Sequence, residues 1–289
     1  QTARNSAEHG ETGLMLEPGV ISHFSQLTVS YPLVYPLALV FKIFGAGILP
    51  ARLLMATMIF GLVIISYFFI KKIFSQEIAL FSLALLSTFP PLYGNGKSVL
   101  GEVPGLFFFS LFLLFINLTK TSIFKHRRAV VLFAGLSGGL ATVTKPVFIL
   151  LVPAVFLALI FKRSRLKLEV KEVIWGGAAF LAPIIVWLFF QFQATDSISD
   201  IFSFYANPYG FTNLGFVVGN NLKHFLRDIG PAYLLIMTLV WWLSILVRWK
   251  NRLNIQFEEL ISLFFSFLIT LAYLRTSGMY RYLFLAQII

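Results

Sequence analysis

Cysteine is absent from the chain, which removes disulfides, Cys-ligated metals and thiol nucleophiles together. Histidine is scarce: His9, His23, His126 and His224 are scattered, with no pair at metal-ligand spacing along a helix. Charge is also in short supply. Only 12% of the 289 residues are Asp, Glu, Lys or Arg, against about a quarter in a soluble domain. Glycine-rich phosphate loops and dinucleotide fingerprints are missing too, so the residues give no sign of a soluble nucleotide-sugar site.

What fills the chain instead is apolar. Hydrophobic residues make up 58% of it, with 33 phenylalanines, and the mean hydropathy is +0.85. Several runs reach the roughly 17 to 25 residues that cross a bilayer, and they lack the polar–apolar alternation of barrel strands. The fold class read from this is an all-α polytopic membrane protein. Candidate helices fall at about 51–70, 78–93, 103–118, 129–144, 146–161, 173–193, 230–247 and 258–274, with another beginning near 281. The chain opens on "QTARNSAEHGETG" and stops inside "YRYLFLAQII". That reads as an internal piece truncated at both ends. The expected organisation is an outer segment over 1–50 and a helical bundle over 51–289, about eight spans with a long outer loop at 194–229.

The net charge of +11 is a topology signal. Lys71 and Lys72, then Lys120 to Arg128, then Lys162 to Lys171, then Arg248 to Arg252 hold fourteen of the 23 basic residues. They fall on every second loop, which the positive-inside rule assigns to the cytoplasm. Nucleic acid is excluded as a partner, since no aromatic stacking platform is interleaved with these short clusters. The other side collects seven of the twelve acids: Glu8, Glu11, Glu17, Glu102, Asp196, Asp200 and Asp228. A plasma-membrane protein, bacterial or archaeal, working on its non-cytoplasmic face is expected. The run from Tyr31 to Pro50 is also apolar, but the helix after it must travel inward to reach Lys71. Pro32, Pro36 and Lys42 interrupt it, so it is placed as an interfacial or re-entrant segment with at best a short helix between Pro36 and Phe44.

Three outer corners carry an ionisable group at a helix lip: Glu102 in "GEVP", Lys145 in "TKPV" and Arg281 in "MYRY". Singly, each has an ordinary explanation. Glu102 suits a helix N-terminus, Lys145 a snorkelling lysine and Arg281 an interfacial anchor. Together they point further, because Lys97, Lys145, Arg275 and Arg281 are cations kept on the side where the topological bias disfavours them. A lipid phosphate is the natural anion there. A sugar leaving with such a phosphate needs charge stabilisation from Lys and Arg, while a hydroxyl or amine acceptor gains from a carboxylate base. Glu102 is the candidate catalytic acid–base group, and Lys145, Arg281, Lys97 and Arg275 are the candidate donor-phosphate ligands. No cofactor is assigned, and a divalent cation at the phosphate stays open.

The order of motifs resembles the GT-C superfamily of polyprenyl-phosphate-sugar glycosyltransferases, especially its dolichyl-phosphate-mannose-protein mannosyltransferase and undecaprenyl-phosphate aminoarabinose transferase group. The resemblance rests on "ARNSAEHG", "YPLVYPLALVFKIFG…ARLL" (Tyr31 to Leu54), Lys71 to Phe108, "GLSGGLATVTKPVFILLVP" (Gly135 to Pro153) and "YRYLFLAQ" (Tyr280 to Gln287). It covers roughly the first 160 residues and the extreme C-terminus, and no single motif is specific. It implies a GT-C helix bundle with outer juxtamembrane helices, an inverting transfer, a polyprenyl-phosphate-linked sugar as donor and a lipid, glycan or protein acceptor. It also implies two acids. Glu102 matches the second, and the first falls before Gln1, so Glu102 is read as its partner. Lys145 and Arg281 match the phosphate-holding positions. Ser30 stands where the family often has a basic residue, so one phosphate contact is lost or moved.

Two other readings compete. A transporter or flippase would carry mid-helix charges, broken helices and an internal repeat, and no repeat is visible. An O-antigen ligase or polymerase would centre on an outer loop rich in Arg and His, whereas 194–229 has only Lys223, His224 and Arg227. On length statistics that loop is a solvated connector; the other reading is an amphipathic outer helix.

The topology is directly testable, since any introduced cysteine is unique. Cysteines near Lys72, Arg127, Arg165 and Lys250 are expected to react with impermeant thiol reagents from the cytoplasmic side. Labelling of a Glu102→Cys variant from the cytoplasmic side alone would overturn the scheme.

Overall fold

The computed structural model describes residues 2–10, 14–17, 20–22, 29–120, 127–162, 170–192, 199, 213–251, 253, 255–276 and 283–289. Helices dominate: α1 (Thr2–His9), α2 (Tyr31–Phe44), α3 (Ile48–Ile73), α4 (Gln76–Ser87), α5 (Pro90–Gly96), α6 (Glu102–Thr119) and α7 (Arg127–Thr144). A 3-10 turn at Pro146–Leu150 leads into α8 (Leu151–Lys162). Then come α9 (Val170–Phe192), α10 (Leu214–Arg227), α11 (Ile229–Lys250), α12 (Phe257–Tyr273) and α13 (Phe284–Ile288). Between α1 and α2 lies a small antiparallel hairpin, Leu14–Glu17 with Val20–Ser22. Among the described residues four helices are long and apolar enough to cross a membrane: Ile48–Ile73, Glu102–Thr119, Val170–Gln191 and Ile229–Lys250. The protein is an integral membrane protein, and large apolar side chains such as Phe60, Phe81, Phe161 and Phe189 are more than 60% exposed on it.

Residues 1–148 and 169–206 form one compact unit, and 149–168 with 207–289 form another. In the first, α7 is the central helix, packed against α6 on one side and α9 on another. Its sequence explains why. "GLSGGLAT" sets glycines where neighbours press in. A Cβ on Gly135 would lie 2.2 Å from the carbonyl oxygen of Gly176, and one on Gly139 would lie 2.3 Å from that of Phe180. Lipid tails are as apolar as leucine, so helices in a bilayer gain little from hiding greasy side chains from each other. Close backbone approach through small residues is what holds them. At one end of this pair Arg127 reaches the buried Glu172 of α9 at 3.0 Å.

Two expectations change in this unit. The helix in the Tyr31 run is not confined to the stretch after Pro36: it starts at Tyr31 and runs through Pro36 to Phe44. Pro32 sits in the first turn, where the backbone N–H has no helical partner in any case. Fourteen residues give about 21 Å of helix, short of a crossing. Leu33, Val34, Leu37 and Ala38 are buried, and α1 lies against the same face through Ala3. The second change is at 78–93, which is not one helix. It divides into α4 and α5 at Thr88 and Phe89, ahead of Pro90 and Pro91. A residue before proline is pushed out of the helical region, and Thr88 turns its hydroxyl back onto the carbonyl of Ala84 at 2.9 Å.

The second unit is organised around α12. Phe257, Ile261, Leu263, Phe265, Ile269 and Tyr273 are almost fully buried along it. Phe264 meets Phe161 of α8 and Trp242 of α11, with ring centroids 5.5 and 5.7 Å away. Arg248 of α11 forks onto Glu259, which also accepts from the indole of Trp241 at 3.2 Å.

The glycine packing makes a differential prediction. Gly135→Ala and Gly139→Ala should each destabilise the protein by about 1–3 kcal/mol, because the added methyl meets backbone that cannot step aside. Gly177→Ala, with nothing within 4 Å of its Cβ, should be neutral or raise stability by up to about 1 kcal/mol through helix propensity. Thermal unfolding of the three detergent-solubilised variants checks this.

Candidate active site

The polar centre of the first unit lies where three segments meet: Val29–Ser30 ahead of α2, Gly101–Glu102 at the start of α6, and Thr144–Lys145 at the end of α7. Backbone hydrogen bonds set the frame. Ser30 N–H donates to the Thr144 carbonyl at 3.1 Å, and Phe148 N–H closes the corner on the Lys145 carbonyl at 2.9 Å. Gly101 adopts φ +84, a left-handed conformation that glycine enters without penalty. A side chain there would also press on the Thr144 carbonyl at 3.2 Å, Val29 at 3.4 Å and Lys145 at 3.5 Å. One turn later Gly105 leaves the space that the Phe148 ring occupies, its missing Cβ falling 2.2 Å from that ring. The start of α6 is therefore seated directly on the α7 corner.

That seating buries Glu102. It is only 5% exposed although it is the first residue of its helix. The ammonium of Lys145 donates to its Oε1, and the lysine is itself largely covered. A lone carboxylate in such a place would cost several kcal/mol, and pairing with a hydrogen-bonded cation is what makes it tolerable. The helix dipole adds a smaller contribution of the same sign. The pair joins residues 43 apart in sequence. Beside it, the Ser30 hydroxyl is buried without a hydrogen-bond partner among the described residues.

Lys97 is exposed just beyond α5, in the first unit. Arg275 follows α12 in the second unit, and Arg281 lies outside the described residues. Among the described residues no group of three His, Asp or Glu could hold a metal ion. Sequence reading grouped Glu102 and Lys145 on one outer face as acid and phosphate-holding cation; the direct contact between the two is what the structure adds. The same reading flagged Ser30 only as a departure from a pattern. The signal that was available is the pair of conformational markers, Gly101 before one charge and Pro146 after the other, both marking tight corners.

The class is that of a polytopic membrane fold whose helices pack through glycines. Two crystal structures of ArnT from Cupriavidus metallidurans share it. The apo form superimposes with a TM-score of 0.67 at 15% identity, covering 99% of this chain and 51% of that one. The form bound to undecaprenyl phosphate gives 0.66 at 16% identity, covering 99% and 52%. The chain thus spans about half the length of those proteins. Among curated protein sequences none matches it. The family model for dolichyl-phosphate-mannose-protein mannosyltransferase matches residues 32–190, more than half of the chain and two of the three segments of the polar corner, Gly101–Glu102 and Thr144–Lys145. The chain belongs to that family.

The pair should reveal itself in stability. Lys145→Ala leaves the Glu102 carboxylate buried and unpaired, and should cost about 3–5 kcal/mol. Glu102→Gln combined with Lys145→Met removes both charges and should cost clearly less than Lys145→Ala alone. A double-mutant cycle by thermal unfolding at constant pH checks the coupling; additive effects would mean that the contact carries no energy.

Proposed function

We propose that this chain is the membrane-embedded part of a glycosyltransferase that moves a sugar from a polyprenyl-phosphate carrier to a hydroxyl or amine acceptor. The observation that carries the reading is the buried Glu102–Lys145 pair, seated in the region that matches the mannosyltransferase family. The ArnT structure that binds undecaprenyl phosphate supports the same donor class.

The chemistry follows from what each group can do. In a single inverting displacement the acceptor oxygen or nitrogen bonds to the anomeric carbon while the bond from that carbon to the phosphate oxygen breaks. The acceptor proton must leave, and the phosphate departs with the bonding electrons. Glu102 either takes the proton or orients the group that does. Lys145 has three N–H donors and spends one on Glu102, so the others are free for a phosphate oxygen. One ammonium can then sit between the carboxylate and the leaving phosphate and stabilise both charges as they develop. Arg281, Arg275 and Lys97 are the further candidate phosphate contacts. The working face is the non-cytoplasmic one, because the basic loops mark the opposite side. A transporter or flippase is the less favoured reading, since it would place its charges in mid-span.

Two variants separate the roles. Glu102→Gln keeps size and hydrogen bonding but accepts no proton, so turnover should fall by about 10²- to 10⁴-fold with donor binding preserved. Lys145→Ala should weaken binding of polyprenyl phosphate and also slow transfer, because charge on the phosphate grows as the sugar leaves. Both are measured on the full-length protein. Equal affinity for polyprenyl phosphate in the wild type and in Lys145→Ala/Arg281→Ala would sink the phosphate clamp.

A further inference from the structure

The second unit holds a helix that the transfer reaction leaves unexplained. Helix α10 is amphipathic in three directions. Asn221 and Phe225, one turn apart, form its buried face. The Asn221 amide donates to the carbonyls of Leu274 and Thr276 at 3.1 and 2.9 Å, and Phe225 stacks edge-on against Tyr273 at 5.7 Å. That clasp ties α10 to the end of α12. A second face carries Leu222 and Leu226, 49% and 85% exposed, and Ile229 follows them at 89%. On the third face Phe216, Asn220, Lys223 and Arg227 recur at intervals of four, three and four, all exposed.

The position of this helix relative to the bilayer is fixed by its neighbour. A single extended residue, Asp228, ends α10 and begins α11, and α11 is one of the four helices able to span a membrane. The last turn of α10 is therefore at the boundary where that span enters the hydrocarbon. The exposed Tyr233, one turn into α11, suits the same headgroup zone. The nearby acid does not cancel the cations, since Asp228 is engaged by His224. Lys223 and Arg227 make no ion pair among the described residues.

From this we infer that α10 is a docking surface for the anionic headgroups of the bilayer: Leu222, Leu226 and Ile229 enter the acyl boundary while Lys223 and Arg227 hold lipid phosphates of net negative lipids. The chemistry is that of an interfacial helix, in which apolar area and basic residues act together, each cation near an anionic surface adding a salt-screened attraction. The cations are four residues apart, so both reach the same lipid layer on one side of the helix. The inference is independent of the transfer reaction and survives its failure.

The cysteine-free chain makes the test site-specific. In the full-length protein, Leu226→Cys and Asn220→Cys are each labelled with a small fluorophore and reconstituted into phosphatidylcholine vesicles doped with spin-labelled lipids. The Leu226 label should be quenched by nitroxides on the upper acyl chain. The Asn220 label should be quenched roughly fivefold to tenfold more strongly by headgroup-labelled phosphatidylglycerol than by headgroup-labelled phosphatidylcholine at equal mole fraction. Lys223→Gln/Arg227→Gln, two exposed substitutions that leave the clasp intact, should bring the two lipids level, as should high salt. Equal quenching in the wild-type background overturns the inference. So does the absence of quenching at Leu226, which would mean that protein covers this face.

Discussion

A carboxylate and an ammonium withdrawn from water have to find each other, and much of the first unit is arranged so that Glu102 and Lys145 do. Each lies at the end of a helix that holds no charge of opposite sign, so nothing in its own segment can partner it. Meeting requires the start of α6 to sit on the end of α7, and that in turn requires a left-handed glycine at 101, a missing side chain at 105 and the Phe148 ring in the vacated space. Removing any one of these separates the charges or the helices. The polar centre and the packing are the same construction viewed from two sides.

The same logic runs through the rest of α7. Where lipid offers no hydrophobic drive between helices, backbone contact replaces side-chain burial, and Gly135 and Gly139 let α9 approach to van der Waals distance. The neighbouring Arg127–Glu172 pair fixes the register of those two helices at the opposite end from Lys145. In the second unit the fastening is done by polar side chains instead: Glu259 gathers Arg248 and Trp241, and Asn221 gathers the carbonyls left open where α12 ends. A helix terminus needs such partners for its last carbonyls. Here one asparagine both satisfies them and fixes the amphipathic α10 against the end of α12.

In the transfer proposed above, the carboxylate would arrive preorganised. Its orientation is held by an ion pair and its backbone by a tight corner, so little reorganisation is left for the moment of transfer. In the same proposal the lysine that holds it would offer its other donors to the phosphate, and donor binding would then be linked to the state of the acid. At the same corner the Ser30 hydroxyl is covered and has no hydrogen-bond partner among the described residues, while its backbone N–H donates to the Thr144 carbonyl.

Composition alone determined a good deal. A chain with so little charge and so many long apolar runs has to be a helical membrane protein, because only helices satisfy their backbone within lipid segment by segment. The basic loops fixed an expected orientation, and the motifs from Tyr31 to Pro153 fixed the family. Local signals were weaker wherever proline was involved: Pro36 did not end α2, while Pro90 and Pro91 did divide the 78–93 run. Pro36 lies inside α2, where it removes a helical hydrogen bond without ending the helix, whereas Pro90 takes the first position of α5, where its missing N–H is no loss. On length statistics the loop at 194–229 read as a solvated connector, because an amphipathic helix has a similar composition; Leu214–Arg227 is instead a helix, clasped to the end of α12 through Asn221. Glu102 and Lys145 were each legible as a charge at a helix lip. That they form one buried pair was not, because the contact joins residues 43 apart, and pairing across such a separation is decided by how the helices pack, which no local pattern encodes.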